Sequence, residues 1–336
     1  MMSWTVGPDG GPRRVNHAAV TVGDKIYSFG GYCTGEDYRT VRCIDVHVLD
    51  TATYKWKVIN HQNSDPKAIP FQRYGHTAVV YGPSVYIWGG RNDNNACNTL
   101  FCFDTTTHEW YLPQVTGKIP EARDGHSACI INQTMYIFAG YLEPTESYTQ
   151  DVHALDLQTL TWSYVEALGD APMYRDFHTA TGFDNKMYVW GGREVAGGKY
   201  QSKDQEVYSS NLYCFYTVSK RWAVMYTTGD IPKGRRSHSA SIYDGHLYVF
   251  GGYNSKENQH FNDLHRFDPI KQNWEVVHPS GDGPCPRRRQ ACCVAGSKLF
   301  IFGGTRPNEN MENESEGNDD ALMDLNDLYL LNFGQV

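Results

Sequence analysis

Arginine and histidine three residues apart recur along this chain, and they are the first residues that could do chemistry. The copies are RVNH (Arg14 to His17), RYGH (Arg73 to His76), RDGH (Arg123 to His126), RDFH (Arg175 to His178) and RRSH (Arg235 to His238). An imidazole is a ready metal ligand or general base, but a metal needs converging ligands and a base needs one special histidine. Repetition offers neither, and a sixth copy, RRRQ, puts Gln290 where the histidine should be. The expected role is scaffold, with imidazole and guanidinium bonding to backbone between repeated units. No GxSxG, HExxH or GxxxxGK[ST] segment occurs, and no Cys/His/carboxylate cluster suggests copper or iron. Neither enzyme activity nor a metal or other cofactor is expected.

The elements that must hold these residues come from aligning the chain on itself. Six aromatic-aliphatic runs end in paired small residues: YSFGG (27–31), YIWGG (86–90), YIFAG (136–140), YVWGG (188–192), YVFGG (248–252) and FIFGG (300–304). An alternating strand follows most of them, for example DVHALD (151–156), and then a tryptophan: Trp56, Trp110, Trp162, Trp222 and Trp274. Each unit reads as four short strands with turn residues between them. Four strands in about 50 residues is the period of a kelch β-propeller blade. The sixth unit lacks a tryptophan, whereas Trp4 stands alone 52 residues before Trp56. The spacing therefore predicts an all-β, six-bladed propeller in which residues 3–6 complete the sixth blade. Blades are expected at roughly 13–60, 73–115, 123–168, 175–228, 235–279 and 286–333 plus 3–6, all in one domain over 1–336.

Composition narrows the function classes. No run of 18 apolar residues exists, so no membrane-spanning helix is expected, and the start MMSWTVGPDGG lacks the basic flank and apolar core of an export signal. Nine cysteines without a CxxC pair suggest free thiols in a reducing compartment, cytoplasmic or nuclear. Of 38 acidic residues, eight fall in 308–327, leaving the remainder balanced against 30 basic ones. That balance argues against nucleic-acid binding by bulk charge. The acidic segment, about 306–326, is expected to be a mobile loop.

Strand parity puts the long connections (32–43, 91–97, 141–150, 193–209, 253–261 and 305–326) on one face, around the channel mouth. Tight turns such as VGDK (22–25) and YDGH (243–246) occupy the other face. Residues next to the paired glycines or inside R-x-x-H line that mouth: Tyr74, Arg91, Asp124, Tyr141, Asp176, Phe177, Arg193, Arg236, Ser237, Tyr253, Arg288 and Arg289. Arginines here are able to clasp a carboxylate bidentately, as at the end of a peptide. The competing reading is that arginines and aspartates merely pair with one another.

The stretches GGPRRVNHAAV (10–20), YSFGGYCTGEDY (27–38), WGGRNDNNACN (88–98), ARDGHSAC (122–129), GRRSHSA (234–240) and GPCPRRRQACC (283–293) resemble kelch-repeat substrate receptors of cullin-2 RING ubiquitin ligases. The resemblance implies a receptor for C-terminal degrons ending in glycine, preferably after a basic residue or Gln. In a relative that reads diglycine ends, an arginine after GG and a serine in a later G-R-S-W-H stretch hold the terminal carboxylate. The first matches Arg193. In GRRSHS, Arg236 takes the serine's place and Ser237 the tryptophan's, which suggests a second arginine clamp. Walls of Tyr74, Phe177 and Tyr253 would enforce glycine, and Asp124 and Asp176 would accept a preceding Lys or Arg by charge alone. The family also carries a helical box for elongin B/C and cullin-2. The sequence ends at Val336, so that box is expected to lie outside a shortened chain. The rival expectation is a non-catalytic interaction scaffold with a chromatin or meiotic role, using the acidic segment or a blade edge.

Overall fold

The computed structural model describes residues 1–61, 63–195, 206–308 and 321–334. Six antiparallel sheets are arranged as blades. Blade 1 comprises Ala18–Val22, Lys25–Phe29, Val46–Asp50 and Lys55–Val58, and blade 2 comprises Tyr74–Tyr81, Ser84–Arg91, Phe101–Asp104 and Glu109–Tyr111. In blade 3, Ser127–Ile131, Thr134–Leu142, Ser147–Asp156 and Thr161–Val165 are joined by Thr116–Gly117, which runs parallel to the outer strand. Blades 4 and 5 repeat this hook with Leu168–Gly169 and Thr228–Gly229.

Blade 6 closes the molecule. Ala291–Ala295, Lys298–Phe302 and Leu328–Asn332 come from the far end of the chain, and Ser3–Val6 pairs antiparallel to Leu328–Asn332 as the outer strand. The Trp4 N–H donates to the Ser280 carbonyl at 2.7 Å, which is the same hook in shorter form. A sheet whose first and last segments pair in this way leaves no open end to the array.

The core lies between blades, so second strands such as Lys25–Phe29 are buried on both faces instead of alternating. Outer strands are more exposed, because one face meets solvent: in Thr161–Val165 only Trp162 and Val165 are buried. Every outer-strand tryptophan packs on an aromatic ring of the preceding blade's second strand. The pairs are Phe29–Trp110 (5.9 Å), Trp88–Trp162 (5.7 Å), Phe138–Trp222 (4.9 Å), Trp190–Trp274 (6.0 Å), Phe250–Trp4 (6.0 Å) and Phe302–Trp56 (5.0 Å). Trp4 performs this role while only half-buried.

At the neck of the channel the third residue of each R-x-x-H or R-x-x-Q unit joins a closed backbone circle. The N–H groups of Gly75, Gly125, Phe177, Ser237, Arg289 and Asn16 donate to the carbonyls of Asn16, Gly75, Gly125, Phe177, Ser237 and Arg289, at 2.8–3.1 Å. All six have left-handed backbone, with φ between 51° and 69°. Four of the six are not glycine, so each of these is strained by about 1 kcal/mol or more.

The motif residues outside this circle are structural, with a division of labour that differs from expectation. Histidine does the crossing between blades: His76 Nε2 reaches the Phe29 carbonyl (2.9 Å), and His126, His178 and His238 reach Thr77 Oγ1, Ser127 Oγ and Thr179 Oγ1 (2.9, 2.6 and 2.9 Å). Backbone of the preceding blade is reached as well as hydroxyls, since His178 also bonds the Phe138 backbone and His238 that of Trp190. Gln290 Nε2 replaces the imidazole by donating to Phe250 O at 3.0 Å and Ser239 Oγ at 3.2 Å. The guanidinium instead stays in its own blade. Arg73, Arg123, Arg175, Arg235 and Arg287 donate from Nη1 to the carbonyl of the first residue in each small-residue pair: Gly89, Ala139, Gly191, Gly251 and Gly303, at 2.8–3.1 Å. A Cβ on Gly89 would lie 2.3 Å from His126 Cε1, so close approach of the next blade requires glycine there.

All nine cysteines are free. Residues 309–320 of the acidic segment lie outside the described residues, but its flanks are ordered strands. Thr305–Pro307 pairs with Leu322–Asp324, and Asp327 holds Arg287 at 2.6 Å. Those ends of the segment expected as a mobile loop, 306–326, pair with each other, and Thr305 bridges Arg288.

Two outcomes follow from this architecture. Trp4→Ala should lower unfolding free energy by about 2 kcal/mol, less than a fully buried tryptophan would cost, and deleting residues 1–6 should cost more; denaturant titration measures both. Burial, then the arginine of the same motif, holds His76 and His238 at about 3 against the ordinary 6.5. His126 and His178 are also held well below it. These rings stay neutral when folded and charge when unfolded. Their stabilisation is therefore full above about pH 6.5 and lost as pH falls toward 3, at up to about 1.4 kcal/mol per pH unit for each ring. His126→Gln should remove one linked proton from that acid limb, measured as the slope of unfolding free energy against pH.

Candidate functional site

Above the neck each blade contributes one β-bridge to the mouth, pairing the second motif residue with the residue after the small-residue pair. These bridges are Val15–Tyr32, Tyr74–Arg91, Asp124–Tyr141, Asp176–Arg193, Arg236–Tyr253 and Arg288–Thr305. Below them is an axial cavity of about 130 Å³, lined by the backbone circle and the histidines, with Phe177, Ser237 and Arg289 at its rim. Nine of the twelve residues singled out from sequence sit in these bridges, and the other three, Phe177, Ser237 and Arg289, belong to the circle and line the cavity. Val15, Tyr32 and Thr305 were missed, and their place in the repeat was the signal that would have found them.

Charge around the mouth is uneven. On blade 4, Arg193 binds Asp176 bidentately, Nε to Oδ1 at 3.0 Å and Nη2 to Oδ2 at 2.6 Å, with Glu206 3.4 Å from Nη1. Tyr148 and Phe177 rings lie 5.4 and 6.0 Å from the same guanidinium. The planar fork of Arg193 is matched to the Asp176 carboxylate, the mutual pairing that stood as the competing expectation for these two residues. Arg91 is likewise engaged, by Glu143 at 2.6 Å.

Blades 5 and 6 bring arginines together on one aromatic ring. The Arg236 and Arg288 guanidinium carbons lie 5.7 and 4.3 Å from the Tyr253 ring centre, and the His260 ring stacks against the same tyrosine at 4.5 Å. Burial, followed by the charges of Arg288, Arg289 and Arg236, lowers the His260 imidazole to about 3. Three nitrogen-rich side chains therefore gather around one phenol, with His260 neutral. Among the described residues no carboxylate lies within ion-pair distance of Arg236. Ser237 supplies ring backbone, and its side chain borders the cavity.

Aromatic walls stand on blades 1 and 2. Tyr32 stacks on Tyr38 at 4.8 Å, and Tyr74 meets both edge-on at 5.7 and 5.8 Å. Tyr74 also donates to Asp93 Oδ1 at 3.0 Å. On blade 3, Tyr141 packs on Tyr148 at 5.1 Å. Asp124 beside it is 8% exposed, and its Oδ1 is buried without a hydrogen-bond partner. Among the described residues no group of three or more His, Cys, Asp or Glu side chains is placed to hold a metal ion. The arrangement suits an anionic group at blades 5 and 6 and a hydrogen-bond donor at blade 3.

Comparison with known proteins gives a consistent answer. The KLHDC2/KLHL20/DRC7 Kelch-repeats domain matches residues 75–304 and 194–335, and the Kelch motif matches residues 13–61. Kelch domain-containing protein 3 of Homo sapiens is 46% identical over 338 residues, covering 99% of this chain and 87% of the relative. The Mus musculus protein of the same name is 47% identical with the same coverage. Host cell factor 2 of Homo sapiens is 28% identical over 268 residues, 75% of this chain and 33% of that protein. The matched families are binding modules, and none is catalytic.

The blade 4 pair generates its own expectation. Arg193→Ala leaves the 1%-exposed Asp176 carboxylate without its partner and should cost about 3 kcal/mol, whereas Arg193→Ala combined with Asp176→Asn should cost less than the sum. Denaturant unfolding of the two single variants and the double variant measures the coupling.

Proposed function

This chain belongs to the kelch-repeat family of Kelch domain-containing protein 3, and from that footing we propose that its mouth receives the carboxyl-terminal end of another protein. In this reading the chain is the substrate-recognition module of a cullin-2 RING ubiquitin ligase, taking C-terminal glycine degrons and reaching cullin-2 through elongin B/C. The module on which this rests is a six-bladed kelch propeller of the protein-interaction type.

The observation that carries the proposal is the convergence of Arg236 and Arg288 on Tyr253, with Arg289 beside them. Guanidinium groups packed on an aromatic face are partly dehydrated, which strengthens a bidentate bond to a carboxylate. A chain terminus fits this place better than an internal Asp or Glu, because the mouth narrows onto the backbone circle. At that neck the backbone is closely approached: a Cβ on Gly75 or Gly125 would lie 3.2 Å from Asp124 Cβ or 3.1 Å from Asp176 Cβ. A final residue without a side chain is the one that approaches such a floor closely. The role assigned to Arg193 changes accordingly. It holds Asp176 and the Phe177 wall, and the clamp shifts to Arg236 and Arg288.

A peptide ending in Arg-Gly, free or amidated, tests the proposal by calorimetry. Amidation, Arg236→Ala or Arg288→Ala should each weaken binding by about 2–5 kcal/mol, as expected for charged contacts out of water. Equal affinity of free and amidated peptides sinks the proposal and favours a scaffold that binds a folded partner.

A further inference from the structure

Five of the six motif arginines meet a carboxylate: Arg14 with Asp45, Arg123 with Asp151, Arg175 with Glu194, Arg235 with Asp263 and Arg287 with Asp327. Arg73 has none among the described residues, and the repeat shows why. Asp45, Asp151 and Asp263 stand five residues before Asp50, Asp156 and Asp268, whereas Thr99 takes that place before Asp104. Arg73 is 0% exposed, and its Nη2 is buried without a hydrogen-bond partner. The Phe71 and Phe101 rings cover the guanidinium, at 4.0 and 5.1 Å, without matching its charge. A buried cation lacking a counter-charge is costly, and the cost falls when an anion is made beside it.

The group beside it is the Cys97 thiol. Arg73 Nη1 donates to the Gly89 carbonyl at 3.1 Å, and the Cys97 N–H donates to the adjacent Gly90 carbonyl at 2.9 Å. Two consecutive carbonyls thus hold guanidinium and cysteine together. The Thr99 N–H donates to Cys97 Sγ at 3.4 Å. Burial lowers the Arg73 guanidinium from its ordinary value, and the Cys97 sulfur opposes that lowering. Cys97 is only half-buried, so a small reagent reaches it from solvent. Cys285 is a contrast within the same chain. It is also half-buried, with its sulfur 3.3 Å from Arg287 Nη2, but Arg287 already holds both oxygens of Asp327 at 2.6 and 2.7 Å.

We propose that Cys97 is a modification site for peroxide, oxidised to a sulfinate that serves as the counter-ion Arg73 lacks. In the first step the sulfur, as its anion, attacks one peroxide oxygen. The S–O bond forms as the O–O bond breaks, sulfur gives up two electrons, and the departing hydroxide takes up the thiol's proton to become water. The sulfenic acid so formed reacts with a second peroxide in the same way, yielding the sulfinate, a proton and water. A sulfinate on Cβ resembles the aspartate of the other blades: it is anionic and offers two oxygens to Arg73 Nη2.

The test treats the whole chain with hydrogen peroxide and follows each cysteine by peptide mass spectrometry. Cys97 should gain two oxygens about fivefold faster than Cys285 or the more exposed Cys43. Thr99→Asp restores the carboxylate of the other blades while keeping the thiol, and there the Cys97 rate should fall to that of Cys285. Oxidised wild type, Cys97→Asp and Thr99→Asp should each melt about 2 °C or more above reduced wild type. Peroxide should give no such rise in Cys97→Ser, which controls for oxidation elsewhere. Equal rates at Cys97 and Cys285, or in wild type and Thr99→Asp, overturn the partnership with Arg73. Should Thr99→Asp fail to fold, the melting of oxidised wild type and Cys97→Asp decides: a fall in both, or no change, overturns the counter-ion role. None of these readouts depends on peptide binding.

Discussion

The circle of six backbone hydrogen bonds at the neck is the constraint on which the rest of this molecule depends. Each bond links one blade to the next, from Asn16 through Gly75, Gly125, Phe177 and Ser237 to Arg289 and back. Circularity imposes a common backbone shape, which is why residues as different as Phe177 and Arg289 share a left-handed conformation. Their strain is tolerated because opening one link would leave a buried N–H and a buried C=O unpaired at the narrowest point. The half-buried Trp4 and the strand around it matter for the same reason: a circle cannot close unless the sixth wedge is complete.

Around that circle the repeated arginine and histidine solve separate problems. The arginines are among the most enclosed side chains present, and they survive burial because carbonyls and carboxylates surround them. Arg123, Arg235 and Arg287 meet Asp151, Asp263 and Asp327, and Arg175 meets Glu194. Arg73 has aromatic company instead, 4.0 Å above Phe71 and 5.1 Å from Phe101. The imidazoles have no such compensation, so burial and the neighbouring guanidinium keep them neutral. That is why Gln290 is an adequate substitute: a neutral amide makes the same bridge. Catalytic chemistry, which would need one imidazole to change protonation, is the wrong description of this motif.

The same repeat places unlike residues at its second and third positions, where they face the mouth instead of the core. Blade 4 neutralises itself through Arg193 and Asp176. Blades 5 and 6 gather positive charge on Tyr253, while blade 3 presents an enclosed acid. A mouth with separated poles orients a short ligand carrying both a carboxylate and a donor side chain, and electrostatic complementarity of that kind contributes specificity more than bulk affinity. Fold and site thus draw on one motif, with the first and fourth positions committed to stability and the middle two free to vary.

The sequence by itself determined the number of blades, their strand order, the closure through residues 3–6 and the ring of positions that would border the channel. Periodic features have this legibility because each glycine pair, tryptophan and R-x-x-H repeats a local requirement, and the spacing of Trp4 from Trp56 is visible without coordinates. Which arginine is occupied and which acid is left alone were decided only in three dimensions. Arg193 and Asp176 are seventeen residues apart, and nothing in GGREV or RDFH says that their side chains meet. The gathering of Arg236, Arg288 and His260 on Tyr253 likewise joins segments from two blades. Pairing energy depends on distance and burial, both set when neighbouring wedges pack. A linear reading therefore names the candidates around the hole, and packing chooses among them.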